Sequence, residues 1–233
     1  MNNIAIAGLQ KLSLVDYPGR MAATVFLSSC QMRCPFCHNS ELTQPGYSSL
    51  SEPQLLQFLE KRKTILDGVV ITGGEPTLQP IRRLIETIKQ MGYPVKLDTN
   101  GLRPDVLEDL LNAQLLDYVA MDIKNDPDNY ARTAGIHINM DLIQASIKLL
   151  LNTQIPYEFR TTIVPELHTD RSMQNIGLLI QGADQYALQP FVMRDTVPQQ
   201  DFTEPSDDMM VRYLNIVKPY VRHAFIRGRD LNA

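Results

Sequence analysis

The chain lacks most features that would classify it by composition alone. Its 233 residues include no tryptophan, four histidines and three cysteines. No apolar run approaches the roughly 20 residues that span a bilayer. Residues 1–8 carry neither a basic leader nor a continuous apolar stretch, so the expected location is the cytoplasm. Positive charge is not in excess: 22 Lys and Arg against 26 Asp and Glu give a net charge of −4. That balance argues against a polyphosphate-binding surface, and so against nucleic acid as a partner. Internal repeats, low-complexity tracts and long charge runs are missing too. What is present, 44% hydrophobic and 21% charged residues, is a globular balance, and the length suits one generous domain over residues 1–233.

Within that balance, short β-branched runs alternate with longer segments of helical period, as in parallel βα units. Strands are expected over residues 23–28, 68–72, 95–99, 118–123, 157–164, 188–193 and 222–226. Several are almost continuously apolar, as strands buried on both faces are. Helices are expected over residues 52–66, 80–91, 104–113, 140–152, 171–182 and 206–217. Ser51 reads as an N-cap, and Gly92 as a stop. About six βα units are too few to close an eight-stranded barrel, so the expected architecture is an α/β fold, a partial, splayed TIM-like barrel. Chemistry in such folds gathers where strands end. Here the strand ends lead into Cys30–Cys37, Gly73-Gly74-Glu75-Pro76, Asp98-Thr99-Asn100-Gly101 and Asp122-Ile123-Lys124.

All three cysteines fall in Cys30-Gln31-Met32-Arg33-Cys34-Pro35-Phe36-Cys37, a C-x3-C-x2-C spacing. An odd number of thiols this close is not a disulfide framework. As ligands of a [4Fe–4S] cube, three thiolates leave one iron open, able to chelate the amine and carboxylate of an amino acid. Zinc would need a fourth ligand, and only His38 is adjacent; His137, His168 and His223 have no matching spacing. A redox C-x-x-C pair would leave Cys30 unexplained.

This loop, directly after the first expected strand, resembles the signature of the radical S-adenosylmethionine (SAM) superfamily. The likeness implies a [4Fe–4S] cluster on Cys30, Cys34 and Cys37, with Phe36, Cys37 and His38 lying against SAM. Cys37-His38-Asn39-Ser40-Glu41-Leu42 resembles the C-H-N-P-E-L stretch of glycyl-radical-enzyme activases, with Ser40 in place of proline. Gly73-Gly74-Glu75-Pro76 is similar to the superfamily's G-G-E-P, whose backbone holds the SAM amino group; as a bare pattern it is a turn. Asp98-Thr99-Asn100-Gly101 and Asp122-Ile123-Lys124 resemble the D-T-N-G and D-x-K of the pyruvate formate-lyase activase group. They imply SAM contacts from Thr99, Asn100, Asp122 and Lys124. They also imply a monovalent cation beside Asp98, Thr99, the Met121 carbonyl and Asp122; the alternative is that both aspartates cap strand ends. Arg160-Thr161-Thr162-Ile163-Val164-Pro165 resembles the same group's R-x-x-x-V-P, bringing Arg160 and Thr162 to SAM. Gln189 stands where that group has a ribose-contacting histidine.

Near the start, Ser13-Leu14-Val15-Asp16-Tyr17-Pro18-Gly19 resembles the entry segment of activases for anaerobic ribonucleoside-triphosphate reductase. The function these resemblances imply is reductive cleavage of SAM and formation of a glycyl radical on that reductase, with flavodoxin as electron donor. No side-chain acid or base is expected to be catalytic. Pyruvate formate-lyase is the first alternative partner. A small-molecule enzyme such as 7-carboxy-7-deazaguanine synthase is the second, although that family follows its last cysteine with D-T rather than His38-Asn39.

Overall fold

The computed structural model describes residues 4–228. Eight strands follow one another in chain order: β1 (Ile6–Ser13), β2 (Ala22–Leu27), β3 (Gly68–Gly73), β4 (Val95–Thr99), β5 (Tyr118–Asp122), β6 (Tyr157–Ile163), β7 (Gln185–Pro190) and β8 (His223–Ile226). They form one sheet ordered β1 to β8. β1 is antiparallel to β2, whereas the β2–β3, β3–β4, β6–β7 and β7–β8 pairs are parallel. The connecting helices are α1 (Glu52–Glu60), α2 (Arg82–Gln90), α3 (Pro104–Asn112), α4 (Tyr130–Ala134), α5 (Met140–Leu151), α6 (Asp170–Leu179) and α7 (Asp207–Val217). Contacts divide the chain into two compact units. The first holds the residues up to Gln31, Glu41–Ala120 and Thr153–Pro156; the second holds Met32–Ser40, Met121–Asn152 and the chain from Tyr157 on.

In the first unit, β2 and β3 are buried along nearly their whole length, which is why their sequences run apolar without alternation. The helix expected over 52–66 stops at Glu60, and the chain passes through turns from Lys61 to Ile65 before Leu66 is buried again. β1 was not expected. It carries Gly8 and an exposed Gln10-Lys11-Leu12, and it borders the sheet as an antiparallel strand outside the βα repeat. The entry segment has a structural task. Ser13 Oγ accepts from the amides of Val15 and Asp16 at 3.3 and 3.2 Å, and the Asp16 carboxylate accepts from Thr24 Oγ1 at 2.7 Å. Tyr17 then enters an apolar cluster with Ala22, Val70, Tyr118 and Ala120. Burial, with Asp117 adding to it, pushes the Tyr17 phenol up to about 12.

In the second unit, β7 lies three residues before the expected 188–193. Its buried Tyr186, Ala187 and Leu188 pair in register with β6, and Phe191-Val192-Met193 continues as loop beyond Pro190, whose ring removes a ladder donor. The five-residue α4 was also not expected, being too short to show a helical period. Its buried face carries Tyr130, Thr133 and Ala134, and it ends at Gly135 in the left-handed conformation.

Candidate functional site

In the first unit the chain leaves β2 through Ser29, a non-glycine residue at φ +76°, immediately before Cys30. Such backbone is uncommon outside glycine and needs holding in place. The Ser29 amide donates to Leu42 O at 2.8 Å, and the Cys30 amide to Thr43 O at 3.2 Å. The end of β3 completes the grip, with Gly74 N bonded to Leu27 O at 2.8 Å and Glu75 N to Ser29 O at 2.7 Å. A Cβ on Gly73 would lie 2.4 Å from Leu27 backbone, and one on Gly74 would lie 2.2 Å from Ser29 O. The glycine pair is therefore required by chain meeting chain. The amides of Gly74 and Glu75 are thereby both bonded, leaving carbonyls as the motif's acceptors.

Glu75 is held just as firmly. It is buried, and its carboxylate accepts four hydrogen bonds: from Thr77 N (3.1 Å), Thr77 Oγ1 (2.5 Å), Thr99 Oγ1 (2.8 Å) and Asn100 N (2.6 Å). Burial pushes its pKa up, while the donors from Thr77, Asn100 and Thr99 pull against that rise. Thr99 Oγ1 also accepts from Gly101 N at 3.1 Å. Glu75 and Thr99 thus tie the ends of β3 and β4 together. Asn100 is held by the same tie, and its Nδ2 lies 3.9 Å from Cys30 Sγ. Asp98 is paired with the buried Lys96 and accepts from Thr72 Oγ1 at 3.2 Å.

In the second unit, Asp122 sits at the end of β5 between two cations, Arg160 Nε at 2.9 Å and Lys124 Nζ at 3.0 Å. Burial opposes its ionisation, but Arg160 and then Lys124 outweigh it and hold the carboxyl well below the usual range. Lys124 gains correspondingly: burial opposes its charge, and Asp122 more than compensates. Its ammonium stands 5.9 Å from the Phe36 ring centroid. Burial pushes the Cys34 and Cys37 thiols up, and Lys124 is the strongest influence pulling each back down. Arg160 and Thr162 alternate onto one face of β6, and Gln189 is the register partner of Thr162. Met121 is buried.

His38 is engaged elsewhere. Its Nε2 lies 2.6 Å from Val192 O and its ring stacks on Phe191 at 5.6 Å. Since a carbonyl only accepts, Nε2 carries the proton. Thr196 Oγ1 donates to His38 O at 2.9 Å, Ser40 Oγ to Thr196 O at 2.5 Å and Gln199 N to Pro35 O at 3.0 Å. The His38 side chain is thus a strap for the segment after β7.

Two contributors went unnoticed in the sequence. Arg33 N donates to Ala134 O at 2.8 Å, and a Cβ on Gly135 would lie 2.0 Å from Arg33 O, so α4 seats directly on the cysteine loop. Buried His168 braces the Lys124 backbone, with Nε2 3.0 Å from Lys124 O and Nδ1 3.1 Å from Val164 N. Burial lowers its pKa and keeps the ring neutral. Glycine in a G-x-H pattern and a lone histidine carry no sequence signal for either role.

Among the described residues, no group of three or more His, Cys, Asp or Glu could hold a single metal ion. An iron–sulfur cube makes a different demand, because each of its thiolates binds a different iron. The donors present meet that demand in kind: none of Cys30, Cys34 and Cys37 is spent in a disulfide.

Residues 24–176 match the family model of the radical SAM superfamily. The chain belongs to that superfamily, whose members imply a [4Fe–4S] cluster and SAM. Within it the chain falls in the glycyl-radical-enzyme activase branch. It is 31% identical over 231 residues to a candidate glycyl-radical enzyme activating enzyme of Methanocaldococcus jannaschii, covering 95% of each chain. It is 30% identical over 199 residues to the pyruvate formate-lyase-activating enzyme of Clostridium pasteurianum, covering 80% of this chain and 81% of that one. Among solved structures, Streptococcus suis SuiB bound to S-adenosylmethionine superimposes with a TM-score of 0.67 at 14% identity, over 87% of this chain and 49% of SuiB. That likeness bears on fold alone, and it agrees with the partial TIM-like barrel expected from the sequence. Among the described residues, no helix is long and apolar enough to cross a membrane.

Proposed function

We propose that this chain is a cytoplasmic radical SAM activase that installs a glycyl radical on an anaerobic ribonucleoside-triphosphate reductase. The observation that carries the reading is C-x3-C-x2-C in a chain matched along 95% of its length by a candidate activase. The Ser13–Gly19 entry motif favours the reductase as partner. Residues 1–233 are read as a single functional domain, with flavodoxin as reductant and no nucleic-acid or membrane partner.

In this reading Cys30, Cys34 and Cys37 ligate the cluster, soft thiolates being the donors such iron prefers. When bound, cluster and SAM together supply an electron-driven cleavage of SAM and the abstraction of a hydrogen atom from the partner's glycine. This chain's residues do the positioning. The carbonyls of Gly73 and Gly74 suit the SAM amino group. Lys124 donates to SAM, with Asp122 holding its ammonium in place and Arg160 beside it. Phe36, the His38 backbone and Thr162 border the adenine, and Gln189 takes the ribose position. Shielding from water matters as much as contact, because so reactive a species attacks whatever lies nearest. A monovalent cation at Asp98, Thr99, Met121 O and Asp122 completes the reading; it competes with Lys96 for Asp98 and with Lys124 and Arg160 for Asp122.

The likeness to the C. pasteurianum enzyme favours a second partner, pyruvate formate-lyase. Both are tested by incubating the reconstituted, reduced protein and SAM with each candidate and recording electron paramagnetic resonance (EPR) spectra. A glycyl radical on the reductase is expected. A radical on the lyase alone transfers the assignment, and SAM cleavage with neither radical overturns both.

A further inference from the structure

Asn100 is nearly buried at 6% exposure, one residue past the end of β4, and none of the contacts described above gives its side chain a purpose. Its backbone is anchored by the 2.6 Å bond from Asn100 N to the Glu75 carboxylate. Its side-chain oxygen is defined by two donors, Leu102 N at 3.1 Å and Gln31 Nε2 at 3.4 Å. A backbone N–H can only donate, so the end of the amide facing Leu102 is the oxygen. The other end, Nδ2, is thereby turned toward Cys30 Sγ at 3.9 Å, within hydrogen-bonding range for sulfur. The aim of this N–H follows from three neighbours that do not touch the thiol. The anchoring carboxylate comes from the end of β3, which also grips the backbone leading into Cys30.

We propose that Asn100 is a positioning residue for the cluster, donating an N–H···S hydrogen bond to the Cys30 thiolate and raising the cluster's reduction potential. Reduction adds negative charge to the cluster and its sulfur ligands. A donor aimed at one of them stabilises the reduced form more than the oxidised form. The effect makes the cluster easier for a protein reductant to load, at the cost of some driving force toward SAM. The inference rests on Cys30 being a cluster ligand.

The test is a potentiometric titration of the reconstituted protein, following the EPR signal of the reduced cluster, for the native chain, Asn100→Asp and Asn100→Ser. Both substitutions keep an oxygen for Leu102 N–H and remove the amide N–H aimed at sulfur, the serine hydroxyl being one atom shorter. The expected result is native-like iron and sulfide content with a lower midpoint in both variants. A three- to tenfold change in the one-electron equilibrium constant is expected, tenfold being about 59 mV. Full loading with an unchanged midpoint overturns the proposal. A native chain that takes up no cluster instead overturns the reading beneath it, so the two failures are distinct. If neither variant assembles, native protein carrying asparagine labelled with ¹⁵N at the side-chain amide decides. A ¹⁵N coupling to the reduced cluster that persists in an Asn39→Ser background is expected, and its absence overturns the proposal.

Discussion

Replacing Gly135 by alanine should damage the cysteine loop without touching a cysteine. Gly135 sits at φ +70°, where a side chain costs about 1–2 kcal/mol relative to glycine. The added Cβ would stand 2.0 Å from Arg33 O and 2.6 Å from Arg33 C, both backbone atoms that cannot rotate away. Contacts of this kind do not close below 3.0 Å, so loop and helix end must separate by about 1 Å. That displacement breaks the 2.8 Å bond from Arg33 N to Ala134 O, worth about 1 kcal/mol. The sum is about 2–3 kcal/mol, or roughly 4–12 °C in the melting midpoint of a chain this long. Gly92→Ala is the control, since Gly92 has φ +91° and no atom lies within 4 Å of where its Cβ would stand, leaving only the conformational cost. Calorimetry of both variants, alongside iron uptake after anaerobic reconstitution, separates the two contributions. Gly135→Ala should melt lower than Gly92→Ala and load less iron. Equal melting and equal iron content would refute the seating of α4 on the cysteine loop.

Other consequences are independent of that contact. Glu75→Gln keeps the shape of the side chain but turns an NH2 group toward one of the four donors Glu75 now receives; denaturant unfolding should show a loss of about 1–3 kcal/mol, and an unchanged midpoint would contradict the buried tie. His168 has a folded pKa below its ordinary 6.5, so the unfolded chain binds more protons in that window and stability must fall as pH drops from 7 through 6.5 toward the folded value. The slope contributed by this one group is at most about 1.4 kcal/mol per pH unit, and His168→Gln should remove it in denaturant titrations between pH 5.5 and 7.5. Asp122→Ala leaves Lys124 and Arg160 without their shared carboxylate, and calorimetric titration should show weaker SAM binding that responds to added K⁺. Unchanged affinity with and without K⁺ would dismiss the cation.

The sequence showed the βα alternation clearly because β2, β3 and β5 are buried along most of their length and read as nearly apolar runs; the boundaries of β4 were found to the residue. β1 stayed hidden because an edge strand with three exposed residues lacks that signature. The positions of the site motifs were legible too, since glycine pairs and acidic residues interrupt apolar runs at strand ends. Their tasks were not. Nothing in G-G-E-P shows that four hydrogen bonds, two of them from donors 24 and 25 residues away, enclose the Glu75 carboxylate. Nor does the position of His38 beside a cysteine show that its ring binds Val192 O, 154 residues on. Long-range hydrogen bonds of this sort leave no periodicity and no spacing to read. Gly135 and His168 were missed for the same reason.

The proposed function stands on three cysteines carrying a cluster that cleaves SAM. It is tested most directly by quantifying 5′-deoxyadenosine from anaerobically reconstituted native protein and Cys34→Ala, each given dithionite and SAM. 5′-Deoxyadenosine is expected from the native protein and none above background from Cys34→Ala. Undiminished formation by the variant, or none from a native protein whose cluster is intact, would contradict it.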